Sequence, residues 1–196
     1  TRKESSAASD VYKRQVQGAF IEHEQCLEKL GAQVVELREA ADLQTGFNRL
    51  VLPGGESTVQ SKLLIELGMA ERLREMITAG MPVLGTCAGL ILLSKRIMGK
   101  RSVDRTALGT LDVTVERNAY GRQLGSFNAR ADFAGMEDLP MTFIRAPRIS
   151  EVGPGVEELG RVNGLIVGAR AGGQIGVTFH PELTGDPRLH QMFLNL

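Results

Sequence analysis

The sequence predicts an α/β fold with a mainly parallel central sheet flanked by helices and an antiparallel β extension in the C-terminal half. Three observations carry that expectation. Short apolar runs alternate with helix-length amphipathic segments through the first half, the pattern of a parallel sheet with helices on both faces. Beyond Gly99 the pattern becomes β-rich. A chain of 196 residues with 42% hydrophobic content suits one large domain. Such a length buries roughly 70% of the unfolded surface and needs no disulfide or metal to hold together.

Thr1 to Gln15 are charged or small, with Val11 and Tyr12 as the only sizeable apolar side chains, and read as a disordered tail. Phe20 to Leu30 suits a helix with Ile21, Leu27 and Leu30 apolar and Gly31 as its stop. On it, Cys26 reads as a packing residue and His23 as a surface one. Gln33 to Leu37 is a Val-rich strand, and Arg49 to Leu52 is another that runs into Pro53-Gly54-Gly55. Ser57 or Thr58 is placed to cap a helix through Leu67, and Ala70 to Ala79 forms a second helix ended by Gly80. Met81 to Leu84 is an apolar strand, Gly85 to Gly89 a turn, and Leu90 to Lys95 the start of a helix. Further strands are expected at Thr110 to Glu116, Gln123 to Asp132, Met141 to Ile144, Leu165 to Ala171 and Gln174 to Phe179. Ala171-Gly172-Gly173-Gln174 reads as the hairpin turn between the last two. Asp186 to Leu194 reads as a closing helix.

Charge and composition exclude several classes. The 23 Lys and Arg balance 23 Asp and Glu, so the electrostatic footprint of a nucleic-acid or anionic-membrane binder is missing. No apolar run approaches the roughly 18 residues of a spanning helix, and no signal-peptide core precedes the body. Two cysteines make no disulfide framework, which points to a reducing cytoplasm. No Cys, His and Asp cluster has metal-ligand spacing, and His190 has no evident partner.

Gly85-Thr86-Cys87-Ala88-Gly89 is the strongest local signal for chemistry. G-x-C-x-G between an apolar strand and a helix is the setting of a nucleophile elbow with sulfur in place of hydroxyl. The turn is sharp, side chains at the flanking glycines would collide with neighbouring elements, and the helix dipole favours thiolate. A buried structural cysteine in a glycine-rich turn would share this pattern. Phe179-His180-Pro181-Glu182 adds a base. Proline holds His180 extended, so Glu182, two residues on, can share its face and fix the imidazole tautomer. Cys87 and His180 meet only if the fold gathers strand ends, as parallel sheets do. Pro53-Gly54-Gly55-Glu56-Ser57-Thr58 follows a strand and opens a helix. Its glycine amides are suited to a developing oxyanion and Glu56 to a substrate ammonium or amide, although a plain capped turn has the same sequence. No lysine follows in the P-loop pattern.

Taken together, PGGEST, GTCAGL and FHPEL in that order resemble a class I (triad) glutamine amidotransferase. Val16-Gln17-Gly18-Ala19-Phe20 with Glu22-His23, the run Val115 to Gln123, and Phe143-Ile144-Arg145-Ala146-Pro147 narrow the resemblance to the glutaminase subunits of pyridoxal 5′-phosphate synthase. The resemblance runs from about Val16 to the C-terminus and implies a flavodoxin-like, three-layer arrangement in a single domain over 16–196. It implies Cys87 as nucleophile, His180 as base and later acid, and Glu182 orienting His180. Gly55, Glu56, Ser57, Arg117, Ile144 and Arg145 would contact L-glutamine, and the amides of Gly55 and Ala88 would face the oxyanion. It further implies an enzyme that passes ammonia to a synthase subunit. No cofactor, metal, nucleic acid or membrane is implied.

One departure stands out. The family places an apolar strand immediately before the QGAF segment, where this chain has Ser9 to Gln15 with Lys13-Arg14-Gln15. Residues 1–15 are therefore expected to be a non-native or disordered leader. Competing expectations are a glutaminase serving another synthase, such as that of histidine biosynthesis, which ERNAYGRQ and FIRAP disfavour, and a stand-alone cysteine hydrolase of γ-glutamyl substrates. A third is a catalytically inactive interaction domain lacking its first strand.

Overall fold

The computed structural model describes residues 20–98, 106–117 and 125–196. The expected leader at 1–15 lies outside these residues, as does most of the ERNAYGRQ segment. In chain order the elements are α1 (Phe20–Lys29), β1 (Leu50–Leu52), α2 (Ser57–Glu66), α3 (Ala70–Thr78), β2 (Val83–Thr86), α4 (Ala88–Leu93) and β3 (Ser94–Ile97). They continue with β4 (Leu111–Glu116), β5 (Ser126–Phe133), β6 (Met136–Ile144), β7 (Arg148–Val152) and β8 (Glu157–Val162). The last are β9 (Leu165–Ala171), β10 (Gln174–Val177) and α5 (Arg188–Leu194). Short 3₁₀ turns occupy Ala40–Gln44 and Pro181–Leu183.

Among the described residues one sheet runs β1-β2-β10-β9-β7-β4-β3, with β8 paired to β9. It is parallel across β1, β2 and β10 and antiparallel from β10 through β9 and β7 to β4, while β3 returns parallel to β4. The parallel half carries the GTCAG and PGGEST turns, so both motifs leave the sheet at the same edge. The hairpin turn expected at Ala171–Gln174 joins β9 to β10.

Strand alternation sorts side chains onto two faces. Leu50, Leu52 and Val83 face one core with Leu73, Ile77 and Leu90 to Leu93 from α3 and α4. Val51, Leu84 and Val177 face the other, shared with Leu27 of α1, Leu189 and Phe193 of α5, and the β5–β6 hairpin. Helices thus cover both faces, and the molecule has the three expected layers.

Several local expectations are corrected. Residues 33–37 are not a regular strand. None of them is fully buried: Val34 and Leu37 are half-buried, packing against one core each, while Val35 is 54% exposed. Neither Ser57 nor Thr58 caps α2. Glu56 does so, its carboxylate accepting from Thr58 N at 3.0 Å and Val59 N at 2.7 Å. The helix expected to begin at Leu90 begins at Ala88 and ends at Leu93, where Ser94 turns extended and the chain enters β3. Strands β7 and β8, separated by Gly153-Pro154-Gly155-Val156, were not anticipated.

Candidate active site

Cys87 stands between β2 and α4 with φ 51° and ψ −102°, a conformation costly for any residue with a side chain. The fold holds it there from both sides. Cys87 N donates to Val177 O of β10 at 2.9 Å, which ties the elbow to the neighbouring parallel strand. The flanking glycines permit the close approach: a Cβ on Gly89 would stand 1.9 Å from Leu52 O, and one on Gly85 would meet Leu93 Cδ1 at 2.7 Å. Cys87 is buried, and its Sγ lies 3.9 Å from the carbonyl oxygen of Ile144.

His180 follows β10 and is positioned by what precedes it. Phe179 is fully buried and packs edge-on against Phe133 at 5.4 Å and tilted against Phe143 at 5.8 Å. Each such pair contributes about 0.5–1.5 kcal/mol beyond the area it buries. His180 N donates to Thr142 O of β6 at 2.8 Å. The side chain therefore leaves a backbone pinned on two sides. His180 Nδ1 meets Glu182 Oε1 at 2.7 Å, with the Glu182 side chain wholly buried. The expected face-sharing is present, but it arises as the chain enters the 3₁₀ turn Pro181–Leu183 from a non-helical His180, not in a continuous extended segment.

With Nδ1 on the carboxylate, Nε2 is left for the sulfur. Burial disfavours the charged imidazole, but side-chain hydrogen bonds with Cys87 and Glu182 outweigh it, and the His180 pKa is raised to about 10. An imidazolium held between sulfur and carboxylate is the resulting state.

The PGGEST loop closes over this group. A Cβ on Gly54 would stand 2.4 Å from His180 Cε1, so the loop backbone rests directly on the imidazole. Gly55 has φ 153°, a region reserved for glycine. Ser57 is buried in the first turn of α2. Both oxygens of Glu56 serve the cap of α2. Burial opposes its ionisation, but the bonds from Thr58 and Val59 and the charge of Arg117 keep its pKa below the usual carboxylate value. Arg117 Nη1 donates to Thr58 Oγ1 at 3.1 Å, bringing that guanidinium to the loop. Arg145 has φ 43° and donates its amide to Gly125 O at 2.6 Å, a bend next to the Ile144 carbonyl that faces Cys87. Among the described residues no group of His, Cys, Asp and Glu is arranged to hold a metal ion.

Two site residues escaped the sequence reading. His23, expected at the surface, is 3% exposed, and His190, expected to lack a partner, is 0% exposed. His23 Nε2 lies 3.2 Å from Glu182 Oε2 and 3.3 Å from Thr86 Oγ1, while its Nδ1 lies 2.9 Å from His190 Nε2. The missed signal was periodicity. Phe20, His23 and Leu27 occupy one helical stripe, and Leu189, His190 and Phe193 another, so both histidines sit at core positions.

The sequence model of the SNO glutamine amidotransferase family matches residues 14–196. A curated relative from Desulfitobacterium hafniense, named pyridoxal 5′-phosphate synthase subunit PdxT, is 57% identical over 180 residues, covering 92% of this chain and 89% of the relative. A protein of the same name from Methanocorpusculum labreanum is 54% identical over 181 residues, covering 92% and 94%. A solved structure described as a crystal structure of glutamine amidotransferase superposes with TM-score 0.85 at 42% identity, over 92% of this chain and 94% of that one.

Proposed function

Because the chain belongs to the SNO glutamine amidotransferase family, we propose that it hydrolyses L-glutamine to L-glutamate and ammonia through Cys87, His180 and Glu182. The ammonia is passed to the synthase subunit of a pyridoxal 5′-phosphate synthase, in keeping with the names of its relatives. The observation that carries the catalytic assignment is the buried 2.7 Å contact between His180 Nδ1 and Glu182 Oε1, with Cys87 acting on the same imidazole.

The chemistry follows from the charge state. With the proton already on His180, the sulfur of Cys87 attacks the carboxamide carbon of glutamine, and the carbonyl oxygen becomes an oxyanion. The amides of Gly55 and Ala88 are the donors assigned to that charge, and residue 55 has a φ of 153°. Collapse breaks the C–N bond as His180 protonates the departing nitrogen, so ammonia leaves and a γ-glutamyl thioester remains on Cys87. The sulfur is then held in the thioester. His180, having given its proton to the nitrogen, is free to take one from water, which attacks the thioester, breaks the C–S bond and releases glutamate.

Glu56, Ser57 and Arg117 at the loop, and Ile144 and Arg145 opposite the sulfur, hold the substrate's amino-acid end. Glu56 does so with lone pairs left after capping α2. The activity belongs to one domain over 16–196 and to the cytoplasm, and it uses no cofactor. Among the described residues no helix is long and apolar enough to cross a membrane.

Glutamine hydrolysis with and without the synthase subunit tests this reading. Ammonia release stimulated by the synthase is the expected result. Strong activity that the synthase leaves unchanged would favour a stand-alone γ-glutamyl hydrolase. A folded chain without turnover in either case would favour an interaction domain.

A further inference from the structure

All three histidines of the chain lie in one buried line with Glu182, yet the proposed reaction uses only one of them. The Glu182 side chain is 0% exposed, so its charge is costly unless both oxygens find donors. Oε1 has His180. Among the described residues Oε2 has no hydrogen bond, and the nearest ring nitrogen is His23 Nε2 at 3.2 Å, which also lies 3.3 Å from Thr86 Oγ1.

We propose that His23, backed by His190, is a positioning residue that holds Oε2 of Glu182 and so fixes the carboxylate edge that His180 meets; this rests on the Cys87, His180 and Glu182 assignment above. One arrangement of protons satisfies the line. His23 carries its proton on Nε2, where it is shared between Thr86 Oγ1 at 3.3 Å and Glu182 Oε2 at 3.2 Å. Its bare Nδ1 then accepts from His190 Nε2–H at 2.9 Å, which leaves His190 Nδ1 as an unprotonated lone pair. That last atom has no partner, as this assignment requires it to tolerate. The reverse tautomer would let Nε2 accept from the Thr86 hydroxyl, but it would also set a lone pair of His23 beside the carboxylate and bury an unpaired N–H on His190, which costs more than an unpaired acceptor.

The surroundings agree. Burial, followed by the charges of His190 and His180, pushes the His23 pKa well below its ordinary value, and burial pushes His190 down to about 4. Both are neutral, so His23 steadies Glu182 through a dipole and leaves the carboxylate's charge to His180. A charged His23 would compete with His180 for the same carboxylate.

The test combines tautomer and kinetics on the full chain with its synthase subunit. Nitrogen-15 NMR of the histidine-labelled protein at neutral pH is expected to show His23 and His190 both neutral with the proton on Nε2. A charged His23, or one protonated on Nδ1, would overturn the proposal without any variant having to fold. His23→Phe is expected to lower kcat about ten-fold or more, with KM for glutamine within about two-fold. His23→Gln, which keeps a donor toward Oε2, is expected to recover kcat to within about three-fold of the parent. Added to Glu182→Ala, His23→Phe should cost little more, since it acts only through that carboxylate. Full kcat in His23→Phe, or a His23→Gln as slow as His23→Phe at equal thermal stability, would overturn the proposal. Wild-type kcat in Glu182→Ala would instead refute the triad reading itself, so the two failures are separable.

Discussion

Gly54 and His180 touch backbone to ring: a Cβ at residue 54 would sit 2.4 Å from Cε1 and 3.1 Å from Nδ1 of the imidazole. The PGGEST loop and the FHPEL turn, far apart in sequence, are therefore two walls of one slot. The ring has no room to retreat, since Nδ1 is bound to a fully buried carboxylate. Gly54→Ala is expected to displace His180 and lower kcat for glutamine hydrolysis at least about ten-fold, because a shift of an ångström at a reacting group costs that or more. Steady-state kinetics with the synthase subunit present checks this, and unchanged kcat in a folded variant would contradict the slot.

The strain at Cys87 makes a prediction that separates chemistry from stability. At φ 51° alanine is no better than cysteine, whereas glycine is free of the penalty. Both Cys87→Ala and Cys87→Gly should abolish hydrolysis. Cys87→Gly should nevertheless be the more stable of the two, by about 1–3 kcal/mol in urea unfolding. Equal stabilities would mean that the elbow relaxes once the sulfur is gone.

Protonation of His180 is expected to track its two acidic neighbours. Its pKa near 10 means that the ring stays charged through neutral pH, because Cys87 and Glu182 together outweigh burial. Removing the sulfur in Cys87→Ala leaves burial in place and takes away one raising partner, so the midpoint must move down. Ring-proton chemical shifts followed against pH in both proteins measure it. A midpoint that stays put or rises in Cys87→Ala would show that the sulfur does not act on the imidazole.

Gly89 tests the frame that carries the elbow. A Cβ there would stand 1.9 Å from Leu52 O and 2.7 Å from Leu52 C, and both are backbone atoms that cannot rotate aside. Gly89→Ala should push α4 away from β1 and cost about 1–3 kcal/mol or more, read as a fall in the urea midpoint. A midpoint like that of the parent would mean that α4 packs less tightly on β1 than the structure shows.

Some of this was legible in the sequence and some was not, for physical reasons. GTCAG and PGGEST were readable because close backbone approach demands glycine at fixed offsets. His180 and Glu182 were readable because two residues of separation across a proline leave few relative directions. The three layers followed from the alternation of apolar runs. Residues 33–37 misled because Val-rich composition fixes neither burial nor strand pairing, and Val35 is 54% exposed. β3 was hidden because Leu90 to Leu93 continues a helical pattern up to Ser94, where the backbone turns extended. His23 and His190 were misread because a polar side chain in an apolar stripe was judged by its type and not by its position. Their contact joins α1 to α5, and no local pattern could have paired them.

The most direct test of the central claim is to quench the enzyme in acid during glutamine turnover and map the γ-glutamyl adduct by mass spectrometry. The chain has only Cys26 and Cys87 to choose between. An acyl group found on the peptide carrying Cys87, and lost in Cys87→Ala together with turnover, is the predicted result. Turnover that persists with the adduct on Cys26, or with no adduct in a Cys87→Ala chain that still releases ammonia, would contradict it.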